Sequence, residues 1–251
     1  MFGKVAALYR HPVKGFTPER LESAELEVGR FFPCDRIYAV EDGPSGFDPA
    51  APAFVSKMHF AVLAKIAGVA KARSSYDEGS GVFSAEADGV APFSGRLSDP
   101  EGRDAFAAWL TELLGEAATG PLKVVHAEGH RFTDHPAGYV SIINLESVRD
   151  LERRIGRPVD PLRFRANLYV DGWAPWSELE AVDREIALGP VRARVTQTIT
   201  RCPATTVNPA TAERDIQVPA ELRRLYGHVL CGVYAEVTAP GRLGEGDAAI
   251  L

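Results

Sequence analysis

Several features that would assign this chain to a special class of protein are absent from it. No run of apolar residues approaches the roughly 20 that a bilayer-spanning helix needs, and the first residues lack the regions of a signal peptide. The three cysteines, Cys34, Cys202 and Cys231, are too few for a disulfide framework and form no C-x-x-C pair. We therefore expect a cytoplasmic protein with reduced thiols and no association with a membrane.

The chain also lacks a positive net charge and the common nucleotide and hydrolase motifs. With 28 Lys and Arg against 34 Asp and Glu, its formal net charge is -6, which argues against a nucleic-acid partner because phosphate contacts need a basic face. It contains no G-x-x-x-x-G-K-[ST], G-x-S-x-G or H-E-x-x-H pattern and no G-x-G-x-x-G opening a helix. P-loop nucleotide hydrolysis, a Rossmann cofactor site and a simple hydrolase are therefore disfavoured.

What remains is a pattern of short strands and turns with a few helices. Strands are predicted at 4–10, 25–28, 36–40, 70–76, 82–87, 165–170, 184–188, 191–196 and 232–238. The clearest helix spans 100–114, with one apolar stripe, and others are predicted at 145–155 and 219–226. Glycines and prolines over 43–53 predict a long exposed loop. This pattern favours a β-barrel-like architecture with peripheral helices.

Cys202 is the most informative cysteine. It follows Arg201 within the stretch TITRCPATTVNP, where the arginine and the surrounding hydroxyls would stabilise a thiolate, the form of cysteine that binds metals. Its local context alone leaves a second interpretation open, because an isolated cysteine is more often a small buried apolar residue.

Basic side chains beside turn residues are a second feature. Lys14, Arg36, Arg163 and Arg165 stand in such positions, and Asn167 follows shortly after. If they converge, they would form an anion pocket suited to a phosphate, because the planar fork of arginine matches its oxygens. The alternative is a set of solvated or ion-paired surface arginines, which is the more common situation.

Histidines close together in the stretch HAEGHRFTDH are a third candidate. His126, His130 and His135 are spaced by four and five residues, with Asp134 among them, which could bring imidazoles near one metal ion. No cysteine or second ligand cluster lies nearby in the sequence, so ordinary loop histidines are the favoured interpretation.

Ordered segments along nearly the whole chain carry a resemblance to a known family. They are YRHPVKG (9–15), GRFFPCDRIYAV (29–40), FTDHP (132–136), FRANL (164–168), RCPATTVNP (201–209) and a closing stretch within 232–247. Together they resemble the MOSC (molybdenum cofactor sulfurase C-terminal) family with its N-terminal β-barrel domain. This group contains the mitochondrial amidoxime-reducing components and related bacterial proteins. Ala166 and Gly15 depart from a proline and a serine common in the family.

The resemblance implies a fold and a division of the chain. The fold would be mixed and mostly β with peripheral helices, an N-terminal β-barrel-like domain being followed by a MOSC β-barrel domain. We place the first domain at 1–95 and the second at 96–251, with an approximate boundary. The strand within 1–10 is allowed to pair across the two domains.

The resemblance also implies a cofactor and the residues that hold it. Cys202 would be the ligand of molybdenum in the molybdenum cofactor (molybdopterin) and the catalytic residue. The pterin and phosphate of the cofactor would be held by Lys14, Arg36, Asn144, Arg165, Asn167, Thr200 and Arg201. A helix cap is an equal alternative for Asn144, and for Cys34 and Cys231 we prefer buried structural roles.

The implied activity is that of an oxidoreductase which reduces N-hydroxylated or N-oxide compounds, small molecules, at a Cys-ligated molybdenum. Because the sequence holds no clustered cysteines of the ferredoxin type, electrons would come from a separate partner such as a ferredoxin, a flavodoxin or a cytochrome. One alternative is a carrier of molybdenum cofactor, or of sulfur as a Cys202 persulfide. The other is a degenerate relative that binds nothing.

Overall fold

The computed structural model describes residues 1–251 and is mostly β. The α-helices are α1 (Pro100–Leu114), α2 (Leu145–Ile155) and α3 (Val218–Tyr226). The strands are β1 (Phe2–Arg10), β2 (Glu19–Leu21), β3 (Ser23–Leu26), β4 (Ala39–Asp42), β5 (Arg73–Asp77), β6 (Val82–Ala87), β7 (Val90–Arg96), β8 (Leu122–Val125), β9 (Val140–Asn144), β10 (Leu168–Asp171), β11 (Glu185–Leu188), β12 (Val191–Thr200), β13 (Leu230–Ala239), β14 (Gly241–Gly244) and β15 (Ala248–Ile250). Short 3-10 turns lie at Lys57–His59, Ala67–Lys71, Gly115–Ala117, Pro161–Phe164, Ser177–Ala181 and Pro203–Thr206. No helix has the length and apolarity that a membrane span requires.

Seven strands close into a barrel. Their order is β10-β9-β13-β12-β11-β15-β1, and β1 pairs back onto β10, while β2 continues outward from β1. The first strand of the chain is therefore one member of a barrel whose other strands all come from residues 140–250. Closure leaves no unpaired edge around the barrel, and the predicted mostly β fold with peripheral helices and β-barrel domains is confirmed.

The N-terminal part has its own sheets and core. Strands β5, β6 and β7 form an antiparallel sheet, and β4 pairs with β8. Helix α1 packs here, because the ring of Phe106 lies 5.0 Å from that of Phe83 and 5.6 Å from that of Phe16, measured between centroids. Since α1 contributes to this core, the packing favours a domain division after α1, and the division near residue 95 stays a prediction.

Local signals account for where two of the helices begin and end. Helix α1 starts at Pro100 and stops at Gly115, and α2 is capped by the side chain of Asn144, which accepts a hydrogen bond from the Glu146 amide at 3.1 Å. Gly156 ends α2 in the left-handed conformation. Both predicted helices are confirmed with their predicted bounds. The predicted exposed loop is also found, since residues 43–56 contain neither helix nor strand.

Two of the predicted strands that begin too early do so for the same reason. Arg36 and Arg165 have φ angles of 51° and 55°, a left-handed conformation that interrupts a strand. The predicted strand 36–40 is therefore a turn followed by β4, and the predicted strand 165–170 starts only at Leu168. As a result, both arginines stand on turns beside the barrel.

Replacing Phe106 with alanine tests whether α1 holds the N-terminal core together. Its ring is fully buried among other aromatic rings, so Phe106→Ala should lower the free energy of unfolding by roughly 3–5 kcal/mol. Phe2, 81% exposed, offers the matched control, and Phe2→Ala should change it by less than about 0.5 kcal/mol. Urea denaturation measures both, and equal effects of the two substitutions would contradict the assignment.

Candidate functional site

A cavity of about 400 Å³ lies where the N-terminal part meets the barrel. The turn before β4, the segment after the long loop, the stretch 133–139, the turn before β10 and the end of β12 all contribute to its walls. Of the predicted site residues, those that line this cavity are Lys14, Arg36, Arg165, Asn167, Thr200, Arg201 and Cys202. The fold thus brings together side chains that are up to 188 positions apart in the sequence.

The cavity is strongly cationic. Its cationic side chains are those of Lys14, Arg36, Lys57, Arg163, Arg165 and Arg201. Only Asp35 and Asp134 oppose them, which leaves a formal excess of four positive charges in a chain whose net charge is -6. Such a local concentration of one sign of charge attracts and holds an anionic ligand.

Two lysines share one carboxylate at the cavity wall. The Lys14 Nζ donates to Asp134 Oδ1 at 2.6 Å and to the Phe132 carbonyl at 2.7 Å, while the Lys57 Nζ donates to Asp134 Oδ2 at 2.7 Å. Partial desolvation raises the pKa of Asp134, but the two ammonium groups outweigh it and hold that pKa well below its usual range. Asp134 is therefore ionised and keeps both lysines at the cavity.

Gly15 lets the segment carrying Lys14 approach its neighbours. Its φ is +91°, and a Cβ atom there would lie 2.9 Å from the Ala61 carbonyl oxygen and 2.9 Å from the Val62 Cα. A residue with a side chain could not occupy this position without moving the backbone. Gly15 therefore allows the segment that carries Lys14 to pass close to Ala61 and Val62.

Arg36 and Arg165 are coupled to each other. The Arg36 Nη2 donates to the Arg165 carbonyl at 3.1 Å, and its Nη1 pairs with Asp35. The Arg165 Nη1 donates to the Phe16 carbonyl at 2.6 Å, while its Nη2 is buried without a partner. Burial and the charge of Arg36 lower the pKa of Arg165 to about 10. Because buried donors are nearly always paired, an oxyanion in the cavity would supply the missing partner.

Behind these arginines lies His11, whose side chain is fully buried. Neither of its ring nitrogens has a hydrogen-bond partner, and its Nδ1 lies 3.5 Å from Asp35 Oδ1. Burial, Arg165 and Arg36 lower the pKa of His11 to about 3, so the imidazole is neutral at pH 7. Its backbone amide donates to Asp35 Oδ1 at 2.7 Å, which helps to orient the carboxylate that pairs with Arg36.

Two other predicted residues line the cavity with polar atoms already engaged. The Arg201 Nε donates to the Cys231 carbonyl at 2.7 Å and its Nη1 to the Phe164 carbonyl at 2.9 Å. The Asn167 Oδ1 accepts from the Ser141 hydroxyl at 2.8 Å. These two side chains therefore connect the walls of the cavity to each other, and few of their donors are free to bind a ligand.

Arg163, the neighbour of Arg165 in the motif, is also engaged. Its Nη2 donates to both carboxylate oxygens of Asp215, at 2.6 and 2.9 Å, and its Nη1 to the Thr206 carbonyl at 3.1 Å. Since Thr206 ends the turn that follows Cys202, Arg163 fixes the segment that carries the thiol.

Cys202 stands just beyond the end of β12, before the 3-10 turn Pro203–Thr206, and its side chain is half-buried at the cavity. Its carbonyl accepts from the Thr205 hydroxyl at 2.9 Å. Lys57 lies close to the thiol: burial lowers its pKa, but Asp134 and Cys202 outweigh this and raise it above its usual value. Thr200, at the end of β12, is exposed to the same cavity.

The other two cysteines lie outside the cavity. Cys231 is fully buried, and burial raises its pKa to about 12. Cys34 is half-buried against the N-terminal core, and burial raises its pKa to about 11. Neither thiol has the low pKa of a metal-binding or nucleophilic cysteine, which agrees with structural roles for both.

Asn144 does not line the cavity. Its amide nitrogen donates to the Ala174 carbonyl at 2.8 Å and to Glu178 at 2.9 Å, while its oxygen caps α2. Because every polar atom of this buried side chain is used, we do not carry Asn144 into the set of cofactor residues. The helix cap, the alternative considered for it, describes its contacts.

The clustered histidines pack against aromatic rings. His126 lies against Tyr38, His130 against Phe132 and His135 against Tyr139, with ring centroids 5.0, 4.8 and 4.4 Å apart. No group of three or more His, Cys, Asp and Glu side chains is arranged to hold a metal ion.

Lys57 is the cationic cavity residue that sequence reasoning missed, and Asp134 was named only beside the histidines and within the FTDHP segment. Lys57 belongs to no motif and follows the proline-rich loop. The HPVK and FTDHP segments signal Lys14 and Asp134 separately, but only the fold shows that Asp134 bridges two lysines.

Two family models match consecutive regions of this chain. The family model of the MOSC domain matches residues 129–249, and that of the MOSC N-terminal beta barrel domain matches residues 2–117. The region matched by the N-terminal domain model contributes Lys14, Arg36 and Lys57 to the cavity, and the region matched by the MOSC domain model contributes the remaining cationic residues. The cavity therefore forms between the two matched regions.

The chain is similar to two curated proteins over part of their length. It is 28% identical over 183 residues to human mitochondrial amidoxime-reducing component 1, covering 60% of this chain and 53% of that protein. It is 29% identical over 142 residues to molybdenum cofactor sulfurase from Drosophila erecta, covering 52% of this chain and 17% of that protein. The match thus spans about half of the first relative's length and a smaller part of the second's.

Among solved structures, the YUAD protein from Bacillus subtilis superimposes with a TM-score of 0.47 and 13% sequence identity. The superposition covers 99% of this chain and 94% of that one.

The pH dependence of stability should reveal the buried His11. An unfolded histidine binds a proton near pH 6.5, whereas His11 in the folded chain does so near pH 3. Lowering the pH between these values protonates the unfolded state first, so the stability present above pH 6.5 is progressively lost toward pH 3. His11→Gln should lose less stability between pH 6.5 and 4 than the wild type in urea denaturation. His59→Gln, at an exposed position, is the control, and a wild-type slope in His11→Gln would contradict the assignment.

Substituting Arg163 should mainly lower stability, whereas substituting Arg165 should mainly weaken the binding of an anion. Arg163→Met breaks a largely buried ion pair and should lower the free energy of unfolding by roughly 2–4 kcal/mol. Arg165→Met removes no ion pair and one hydrogen bond, to the Phe16 carbonyl, so it should lower the free energy of unfolding by only about 1 kcal/mol. Only Arg165→Met should weaken pyrophosphate binding by the folded protein, about tenfold, as for a lost charge-assisted hydrogen bond. Denaturation and calorimetry test this, and unchanged pyrophosphate affinity would contradict it.

Proposed function

Since the chain belongs to the MOSC family and carries its N-terminal β-barrel domain, we propose that it binds molybdenum cofactor in the cationic cavity. We further propose that it uses this cofactor to reduce N-hydroxylated or N-oxide compounds. The observation that carries the proposal is the presence of one half-buried thiol, Cys202, in the same cavity as the excess of positive charge. The names of the relatives, an amidoxime-reducing component and a molybdenum cofactor sulfurase, agree with it.

The residues of the cavity fit both ends of such a cofactor. A thiolate is a soft ligand that suits a metal held by sulfur, and Cys202 supplies it. The phosphate would be held by side chains that still have free donors, above all Arg165 with its unpartnered nitrogen, together with Arg36 and Lys14. A cavity of about 400 Å³ lies in the size range of sites that enclose a cofactor or drug-sized molecule.

The remaining residues would shape the site. Arg163 fixes the turn after Cys202, and Arg201 and Asn167 tie the walls to the backbone. Thr200 would add a polar contact at the end of β12. Rigid walls of this kind hold a ligand in one orientation, which is the protein's main contribution in cofactor enzymes.

When bound, the cofactor supplies the two-electron chemistry of the reaction. The reaction also consumes two protons, because converting an N–OH group to N–H releases water. The Lys57 ammonium holds a proton beside the thiol, and Asp134 connects it to the Lys14 ammonium through hydrogen bonds. This pair of lysines is the group of residues we assign to proton supply.

Electrons would come from a separate protein of the ferredoxin, flavodoxin or cytochrome type. The three cysteines of the chain lie apart, one in the cavity and two in packed interiors. They cannot together hold an iron–sulfur cluster, which needs several thiolates around one centre.

A carrier of cofactor or sulfur is a second candidate. The similarity to a molybdenum cofactor sulfurase favours it, as does the partial exposure of Cys202. In this case the thiol would bear a persulfide for delivery, and the cationic side chains would bind the acceptor only transiently.

Metal analysis after production in a host that makes molybdenum cofactor tests the proposal. Wild-type protein should contain about one molybdenum per chain and Cys202→Ala little, because a thiolate ligand to the metal is lost. Cys34→Ala is the matched control and should retain the metal, since Cys34 lies outside the cavity. The loaded wild type should then reduce an amidoxime or an N-oxide with a chemical electron donor.

Each other outcome contradicts a defined part of the proposal. Equal molybdenum contents in wild type and Cys202→Ala would show that Cys202 is not the ligand. If the loaded protein reduces no hydroxylamine, amidoxime or N-oxide, the proposed reductase activity is contradicted. No metal together with a persulfide on Cys202, found by mass spectrometry, would replace the reductase with the sulfur carrier.

A further inference from the structure

A second cavity, of about 330 Å³, has a wall that differs in chemistry from the first. Aromatic rings form much of it, namely those of Phe31, Phe54, Phe60 and Phe132 and the imidazole of His130. Thr133 is the one lining residue that the two cavities have in common, so the second is a separate space. Its volume lies at the lower end of the range of cavities that bind small molecules, and its flat rings suit a planar aromatic ligand.

Arg131 is the cation of this cavity. Its guanidinium lies 6.0 Å from the centroid of the Phe31 ring, and its Nη1 donates to the His130 carbonyl at 2.8 Å. Its Nε is buried without a hydrogen-bond partner, and no carboxylate forms an ion pair with it. Because buried donors are nearly always paired and partly desolvated charges need a counter-ion, an anion beside Arg131 would supply what is missing.

The neighbouring His130 adds a ring to the wall but no charge. Burial, and then the charge of Arg131, lower the pKa of His130, so its imidazole is neutral at pH 7. The imidazole packs against Phe132 and Phe47, with ring centroids 4.8 and 5.3 Å apart. No aspartate or glutamate lines the cavity. The wall therefore carries one positive charge and no negative charge.

Phe54 differs from the other aromatic rings of this cavity. Its side chain is 64% exposed, although it lines the cavity, whereas Phe60 and Phe132 are buried. A ligand that covered Phe54 would remove apolar surface from water, a favourable change of about 25 cal/mol for each Å² covered. An aromatic ligand would thus gain binding free energy at this ring.

We propose that this cavity is a second binding site, for an aromatic carboxylate, distinct from the cavity of Cys202. The ring of the ligand would lie among the phenylalanines, and its carboxylate would pair with Arg131 through charge-assisted hydrogen bonds. A cavity of roughly 150 Å³ accommodates benzene in another protein, so a volume of about 330 Å³ has room for a bicyclic ring. The site needs neither molybdenum nor the reductase function.

The ligand must combine both features, a ring and a negative charge. A neutral aromatic molecule would leave Arg131 without a counter-ion. A small aliphatic anion such as acetate would leave the rings uncovered, including the exposed face of Phe54. The difference in affinity between matched probes therefore measures each contribution separately.

Titration of the full-length chain without cofactor, followed by calorimetry, tests the site with 2-naphthoate. Wild type should bind 2-naphthoate about tenfold more tightly than the neutral 2-naphthamide, as for a charge-assisted hydrogen bond, and should not bind acetate detectably in this cavity. Arg131→Met should abolish the difference by weakening the binding of naphthoate alone. Arg131→Lys, which keeps the charge, should recover part of it. Urea denaturation shows that each variant is folded.

Three further variants locate the bound naphthoate. Phe54→Ala should weaken the binding of naphthoate and naphthamide alike, about fivefold, through the lost ring contact. Phe2→Ala and Arg30→Met, the same kinds of change at exposed residues outside the cavity, should bind both probes as wild type does. Arg165→Met alters the other cavity, so it should leave naphthoate binding unchanged.

The contrary outcomes are equally defined. Naphthoate affinity that is the same in wild type, Arg131→Met and Phe54→Ala would overturn the site. Naphthoate binding that is lost in Arg165→Met and kept in Arg131→Met would overturn it too, because the anion would then occupy the cavity of Cys202. Naphthamide that binds wild type as tightly as naphthoate would overturn the carboxylate as the ligand class. Since the protein carries no cofactor in these titrations, none of these outcomes bears on the proposed reductase function.

Discussion

Repulsion among the cationic side chains of the cavity is the constraint on which the rest of the site depends. Like charges raise one another's energy strongly where water is partly excluded. The fold offsets this by placing carboxylates between the cations, as with Asp134 between Lys14 and Lys57. The compensation is incomplete at Arg165, which keeps a buried nitrogen without a partner and a lowered pKa. An anionic ligand would remove this remaining cost, so the cavity matches a charged ligand better than it matches water.

The topology explains why these charges meet. Strand β1 completes a barrel made otherwise from the C-terminal part of the chain, and its partner β10 begins just after Arg165. The Tyr9 amide donates to the Asn167 carbonyl at 2.8 Å, which ties the end of β1 to the turn that carries that arginine. The chain then leaves the barrel and soon reaches Lys14 and Arg36. The shared strand therefore sets the N-terminal cations against the C-terminal cysteine.

Much of the fold and part of the site could be predicted from the sequence, because the signals for those features come from residues that are near one another in the chain. The bounds of α1 and α2 depend on neighbouring residues such as Pro100, Asn144 and Gly156, which cap or end a helix by themselves. Lys57 carries no such signal, because its place beside Asp134 and Cys202 results from contacts across the chain. For Asn144 the local signal is sufficient to explain its role as a helix cap, while its role as a phosphate contact stays a prediction.

The left-handed residues of the site connect backbone strain to the proposed chemistry. Arg36 and Arg165 adopt positive φ angles, a conformation that costs roughly 1–2 kcal/mol for a residue with a side chain. Each is held there by the fold: the Arg36 amide donates to the His11 carbonyl at 2.7 Å, and the Arg165 amide donates to the Leu162 carbonyl at 3.2 Å. A strand at either position would alternate its side chains between the two faces of a sheet. The turns instead direct the guanidinium of each arginine to the cavity. Four other residues share this conformation without lining the cavity, namely Cys34, Trp176, Asp183 and Ala212. The positive φ angles therefore explain how the two arginines are directed at the cavity, whereas the argument for an anionic ligand rests on their charges and on the unpartnered nitrogen of Arg165.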